Sequence, residues 1–122
     1  MSSPARDTTV HDLMIEASME RDRHRLALTG ELDLASSGNL VEAVSRLCAG
    51  EAKAIVLDIA ELDFIDSTGL RAILSSRAMC AETQCALTLV PAPARIKPQV
   101  RRLFQVTGLL DRLPFEDESN RS

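Results

Sequence analysis

The sequence predicts an α/β domain: a mixed β-sheet of four to five strands, antiparallel at an edge hairpin and parallel at its centre, packed by helices. Three observations predict it. Leu13–Met19 and His24–Thr29 alternate apolar and polar residues on either side of the polar turn Glu20-Arg21-Asp22-Arg23, the pattern of a hairpin. Beyond them, helical and strand patterns alternate, which calls for crossovers between parallel strands. Ile55, Val56, Leu57 and Ile59 form a β-branched run too short for a helix and apolar on both faces, as in a central parallel strand.

Taken in order, residues 1–10 are polar, contain Pro4 and are expected to form a flexible tail. The domain proper is expected over 11–115, with a flexible acidic and polar tail at 116–122. Leu13, Ile15, Ala17 and Met19 share one face of the first strand; Leu26 and Leu28 share one face of the second. His11 and His24 read as solvated strand-end residues, because neither lies beside a nucleophile motif. Gly30-Glu31-Leu32-Asp33 ends the second strand and starts a turn. Ser36 or Ser37 caps a helix over Ser37–Ala49, whose stripe is Leu40, Val41, Val44, Leu47 and Cys48, and Gly50 stops it.

The third strand is expected at Ala54–Ile59, followed by a loop at Ala60–Ile65. A helix then starts near Ser67 and closes at Glu82–Gln84, with Leu70, Ile73, Leu74, Ala78 and Ala81 as its apolar positions. Cys85–Val90 is the fourth strand. Pro91-Ala92-Pro93 breaks the chain, and Pro98 opens a last helix. Val100, Leu103, Phe104 and Val106 supply its apolar side, Arg101 and Arg102 face water, and Gly108 ends it. Leu109–Phe115 is expected to add a short final strand.

Composition narrows the function classes. The 122 residues suit one domain, and a 45% hydrophobic content permits a core. With three Phe and no Trp or Tyr, that core is aliphatic. A net charge of −4 without a basic block argues against nucleic-acid binding. No run approaches the roughly 20 apolar residues of a membrane span. The first residues lack an apolar h-region, so a signal peptide is not expected and a cytoplasmic location is. Cys48, Cys80 and Cys85 are odd in number and read as reduced thiols. Cys80 and Cys85 have no second pair or nearby His to complete a zinc site, so no metal and no cofactor are expected.

The stretch with most chemical content is Phe64-Ile65-Asp66-Ser67-Thr68-Gly69-Leu70. Asp66 is a good N-cap for the helix that follows. Ile65 then falls at N′ and Leu70 at N4, the spacing of a hydrophobic staple. Ser67 and Thr68 occupy N1 and N2, so two hydroxyls sit at the positive end of the helix dipole. A phosphate added there meets free N–H donors. Asp66 opposes it by like-charge repulsion.

Three segments in order resemble STAS domains, in particular bacterial anti-sigma-factor antagonists of the sporulation and general-stress type. Gly30-Glu31-Leu32-Asp33 resembles the family's Gly-Glu-Leu/Ile-Asp turn. Asp66-Ser67-Thr68-Gly69-Leu70 resembles its phosphorylation loop. Arg101-Arg102-Leu103-Phe104-Gln105-Val106-Thr107-Gly108-Leu109 resembles its last helix. The resemblance covers about Leu13 to Phe115 and implies the STAS fold. It implies no enzyme but a regulator that binds, unphosphorylated, an anti-sigma factor with a histidine-kinase-like ATPase fold, and so frees a sigma factor. That partner phosphorylates Ser67, with Thr68 the less favoured acceptor, and a serine phosphatase reverses it.

By the same resemblance, Glu31, Asp33, Ile65, Asp66, Ser67, Thr68, Gly69, Leu70 and Arg71 form the partner-binding surface. For Ile65 a buried staple role stands equal beside the contact role. Arg71 replaces a second Gly found in many members, and either pairs with a neighbouring acid or selects a different partner. A monomer or weak dimer is expected. The alternative reading is a STAS subunit of an ABC-type lipid-transport complex or of a stress-signalling assembly. No base lies in a motif near Ser67 and no glycine-rich nucleotide loop is present, so ATP belongs to the partner.

Overall fold

The structure is a computed structural model, and it describes residues 12–117. The expected tail at 1–10, His11 and the last residues of the expected C-terminal tail lie outside those described. The chain runs β1 (Leu13–Glu20), β2 (Arg23–Leu32), α1 (Ser37–Ala49), β3 (Ala54–Ile65), α2 (Ser67–Glu82), β4 (Ala86–Val90), a 3-10 turn at Pro93–Arg95 and α3 (Pro98–Val106). The four strands form one sheet in the order β1-β2-β3-β4. β1 pairs antiparallel with β2, and the β2–β3 and β3–β4 pairs are parallel. This is the predicted mixed sheet with three helices.

Register puts Leu26, Leu57 and Leu89 side by side on one face. All three belong to the core, with Leu40, Val44 and Cys48 of α1, Ile73 and Cys80 of α2, and Val100 and Phe104 of α3. The neighbouring register line, Arg25, Val56 and Thr88, lies on the opposite face. There Arg25 bridges Asp58 at 2.7 Å and Glu20 at 3.1 Å. On β1, Leu13 and Ile15 pack against the core, whereas Ala17 and Met19 are exposed; Ala17 lines an open groove with Ala43, Arg46 and Leu47 of α1.

The expected loop at Ala60–Ile65 is strand instead. β3 continues through it, with register irregularities opposite Ala27–Thr29 and Gly30–Glu31. Each accommodates one extra residue on β3. Buried positions there follow Ile59, Leu62, Ile65, a spacing of three where a regular strand shows two. The expected final strand at Leu109–Phe115 is reduced to one parallel bridge between Leu89 and Phe115. Phe115 stands edge-on to Phe104, ring centres 5.6 Å apart.

Two helix faces also differ from expectation. α2 buries Gly69, Leu70, Ala72, Ile73, Ser76 and Cys80 and leaves Leu74, Ala78 and Ala81 exposed. Ala72 and Ser76 are among the inward residues, short side chains that suit the close packing of α1 on this helix. On α3, Val106 is exposed, since the helix ends there and its last turn leaves the core. Arg102 faces water as expected. Arg101 instead folds back: one of its guanidinium nitrogens lies 3.2–3.4 Å from the carbonyls of Pro93, Ala94 and Ile96.

Candidate functional site

Two turns meet at one end of the sheet: Gly30–Asp33, at the end of β2, and Asp66–Leu70, at the end of β3 and start of α2. In α/β sheets the carboxyl ends of parallel strands are where sites are built. Each turn is fixed by local chemistry. Gly30 has φ +104°, and a Cβ there would lie 2.2 Å from the Asp12 carbonyl oxygen. Only glycine fits both conditions. Leu32 is fully buried and anchors the turn. The Asp33 carboxylate accepts from the Ala35 and Ser36 amides at 3.1 and 3.2 Å.

Neither serine caps α1 by its side chain. Ser36 is buried and turned back: its hydroxyl donates to the Glu31 carbonyl at 2.8 Å and accepts from the Asp33 amide at 3.0 Å. Asp33 takes over the start of the helix, its carbonyl accepting from Ser36 and Ser37 at 3.1 and 2.8 Å.

Asp66 is the N-cap of α2, in extended conformation, and its carboxylate accepts from the Gly69 amide at 2.8 Å. Ile65 and Leu70, the predicted staple pair, are each 5% exposed and belong to the core. Ser67 is the first helical residue and is exposed; Thr68 is half-buried. Gly69 is helical, and its role is proximity. A Cβ there would lie 2.2 Å from the Leu32 carbonyl oxygen. That same oxygen accepts the Asp66 amide at 3.3 Å. The end of β2 and the start of α2 therefore meet at one backbone atom.

Between the turns lies a recess of about 400 Å³ lined by Asp33, Leu34, Ala35, Phe64 and Asp66. Leu34 is 76% exposed and Phe64 44%. Neither is among the contact residues expected from the sequence. A signal was present, since each is a large apolar residue directly after an Asp, but whether such a residue points in or out is not decided by the sequence.

The rim is acidic. Beyond Asp33 and Asp66, β3 presents Glu61 and Asp63, and Lys97 at the head of α3 lies 3.7 and 2.6 Å from them. The hydrogen bond to Asp63, then the charges of Asp63 and Glu61, push the Lys97 ammonium above its ordinary range. Arg71 is exposed and makes no ion pair among the described residues, so the internal-pairing expectation is not met. Ser67, Thr68, Asp66, Glu31, Asp33 and Arg71 keep surface here; Ile65, Gly69 and Leu70 lie beneath it.

A second cluster was not legible in the spacing. Cys48, Cys80 and Cys85 are buried, and their sulfurs lie within 4.8 Å of one another. Cys48 Sγ and Cys80 Sγ are 3.8 Å apart. Burial pushes the Cys80 and Cys85 thiols up.

No helix among the described residues is long and apolar enough to cross a membrane. The STAS-domain family model described as "Mlab, STAS domain" matches residues 15–114. BtrV of Bordetella bronchiseptica, assigned by its name as an anti-sigma factor antagonist, is 33% identical over 88 residues, covering 71% of this chain and 72% of its own. Among solved structures, an anti-sigma factor antagonist from Mycobacterium paratuberculosis superposes with a TM-score of 0.71 at 19% identity, over 87% of this chain and 86% of its own. The unphosphorylated form of the anti-sigma factor antagonist SpoIIAA gives 0.68 at 22% identity, over 84% and 87%. These two likenesses establish shared fold. With the family model spanning the domain and BtrV aligned over most of its length, the chain belongs to the STAS domain family.

Proposed function

We propose that the chain is an anti-sigma-factor antagonist that works by partner switching. Unphosphorylated, it binds an anti-sigma factor with a histidine-kinase-like ATPase fold and thereby frees a sigma factor. Phosphorylation of Ser67 by that partner ends the association, and a serine phosphatase restores it. The observation that carries this reading is the placement of Ser67: an exposed hydroxyl at the first residue of α2, beside the Asp66 cap and the apolar recess of Leu34 and Phe64. Supporting it, BtrV carries the name of an anti-sigma factor antagonist, and SpoIIAA has been solved in a phosphorylated form of the same fold.

The physics of the switch is local. Free N–H groups at the head of α2 accommodate a phosphate, so the domain keeps its fold. The phosphate adds about 1.5 to 2 negative charges. Asp66 and Asp33 already line the adjacent recess. A partner closing over this surface would bury that charge beside two carboxylates, and Arg71, one helical turn on, offsets only part of it. Loss of binding by a factor of a thousand needs about 4 kcal/mol, within reach of one desolvated, unpaired charge.

The partner surface follows as Glu31, Asp33, Asp66, Ser67, Thr68 and Arg71, joined by Leu34 and Phe64 and shaped from beneath by Ile65, Gly69 and Leu70. The test is a pull-down from native cells with the chain as bait, washed in ADP and then in ATP, with Ser67→Ala and Ser67→Asp in parallel. A small kinase-like ATPase is expected to be held in ADP and released by ATP. Ser67→Ala should hold it in both, and Ser67→Asp should hold it weakly. Stoichiometric phosphorylation and ATP release of Ser67→Ala would refute Ser67 as the switch. A transporter ATPase held regardless of ATP would move the chain to the ABC-type lipid-transport reading.

A further inference from the structure

At the other end of the sheet, three thiols converge from three elements. Cys48 lies in the last turn of α1, Cys80 near the end of α2, and Cys85 directly before β4. All three sulfurs lie within 4.8 Å of one another, and no other His, Cys, Asp or Glu among the described residues joins the cluster. Cys80 is wholly buried, while Cys48 and Cys85 are 8% and 5% exposed, so the triangle borders the surface on two corners. We propose that Cys48, Cys80 and Cys85 form a three-sulfur binding site for a trivalent metalloid of the arsenite or antimonite class.

Size supports the assignment. A trivalent metalloid keeps a lone pair and holds three sulfurs as the base of a pyramid; at bond lengths of about 2.3 Å, like those of zinc to sulfur, its S···S edges are roughly 3.4 Å. Cys48 and Cys80, 3.8 Å apart, need to close by a few tenths of an ångström, and Cys85, within 4.8 Å of both, by about 1.4 Å at most. Coordination number supports it too. Zinc in a structural site takes four ligands, and the cluster offers three.

Charge decides between a trivalent and a lower-valent centre. Three thiolates around a monovalent or divalent ion leave net negative charge in an apolar core, where it is costly. Three thiolates around a trivalent centre are neutral. Three thiols buried in an apolar core suit an exchange that starts and ends uncharged. Arsenous acid provides one: three arsenic–sulfur bonds form, three arsenic–oxygen bonds break, and each thiol proton leaves with a hydroxide as water. Three waters are released, and nothing is oxidised or reduced. The site is independent of the Ser67 reading and lies at the far end of α2 from it.

The test is to incubate the reduced full chain with arsenite, remove excess by desalting, and measure bound arsenic by native mass spectrometry and its neighbours by X-ray absorption. One arsenic per chain, ringed by three sulfurs, with far-UV circular dichroism unchanged, is the expected result. Cys48→Ala and Cys85→Ala, each checked for folding, should lower apparent affinity at least tenfold. If a variant fails to fold, the sulfur count in the unaltered chain decides. No retained arsenic, an arsenic with two sulfur neighbours, or binding only with loss of the folded signal would each overturn the proposal.

Discussion

Gly69→Ala adds one methyl group where there is no room for it. The new Cβ would stand 2.2 Å from the Leu32 carbonyl oxygen and 2.9 Å from both the Leu32 carbonyl carbon and Cγ. Ordinary contact begins near 3.4 Å, so α2 must retreat from β2 by about 1 Å. The obstacle is backbone inside a packed sheet and cannot swing aside. Retreat also stretches the Asp66 amide to Leu32 carbonyl bond, already 3.3 Å. Overpacking of this kind costs about 1–3 kcal/mol, and the better helix propensity of alanine returns less than about 1. At about 4–8 °C per kcal/mol in a domain of this size, Tm should fall by roughly 5–15 °C. Gly38→Ala is the matched control. It lies in the first turn of α1, with nothing within 4 Å of a Cβ and no positive φ. There the same substitution should stabilise by about 0.4–1 kcal/mol. Thermal melts and urea titrations of both variants measure the contrast. A Gly69→Ala protein as stable as the parent, within about 0.5 kcal/mol, would show that the close approach carries no constraint.

Two further outcomes concern the partner surface and pH. Leu34→Asp should weaken binding of the partner recovered in ADP by tenfold or more, and Phe64→Ala by a similar factor, with stability within about 0.5 kcal/mol for the exposed Leu34. Isothermal titration with the purified partner measures this, and unchanged affinity in both would remove the recess from the interface. Alkaline stability should fall because burial raises the Cys80 and Cys85 thiols in the folded chain. Their stabilisation is complete below the unfolded thiol range, near pH 9, and is lost as pH rises through the folded values. For wholly buried Cys80 the slope approaches about 1.4 kcal/mol per pH unit above that point. Urea titrations from pH 8 to 10.5 on Cys80→Ala and the parent should converge as pH rises; parallel curves would contradict the linkage.

The sheet order was legible because each strand and helix carries its own period, and crossovers leave few topologies. The second half of β3 was not. Its register irregularities change the burial spacing from two to three, so Glu61, Asp63 and Phe64 read as a polar loop. The turn at Asp66–Leu70 was legible through capping chemistry, which is local. The reason for Gly69 was not, since the atom it makes room for belongs to Leu32, thirty-seven positions upstream. The cysteine triangle escaped for the same reason: Cys48 is 32 positions from Cys80, and only the packing of α1 on α2 joins them.

The Leu32 carbonyl, held between Gly69 and the Asp66 amide, also bears on how this surface can be exchanged between relatives. Lengthening either turn would pull on the other, so the pair is a single transplantable part. A chimera carrying both turns of a donor should take the donor's partner, whereas one carrying a single turn inherits a mismatch. On the proposed partner surface, the outward side chains Leu34, Phe64 and Arg71 can change without disturbing that shared atom.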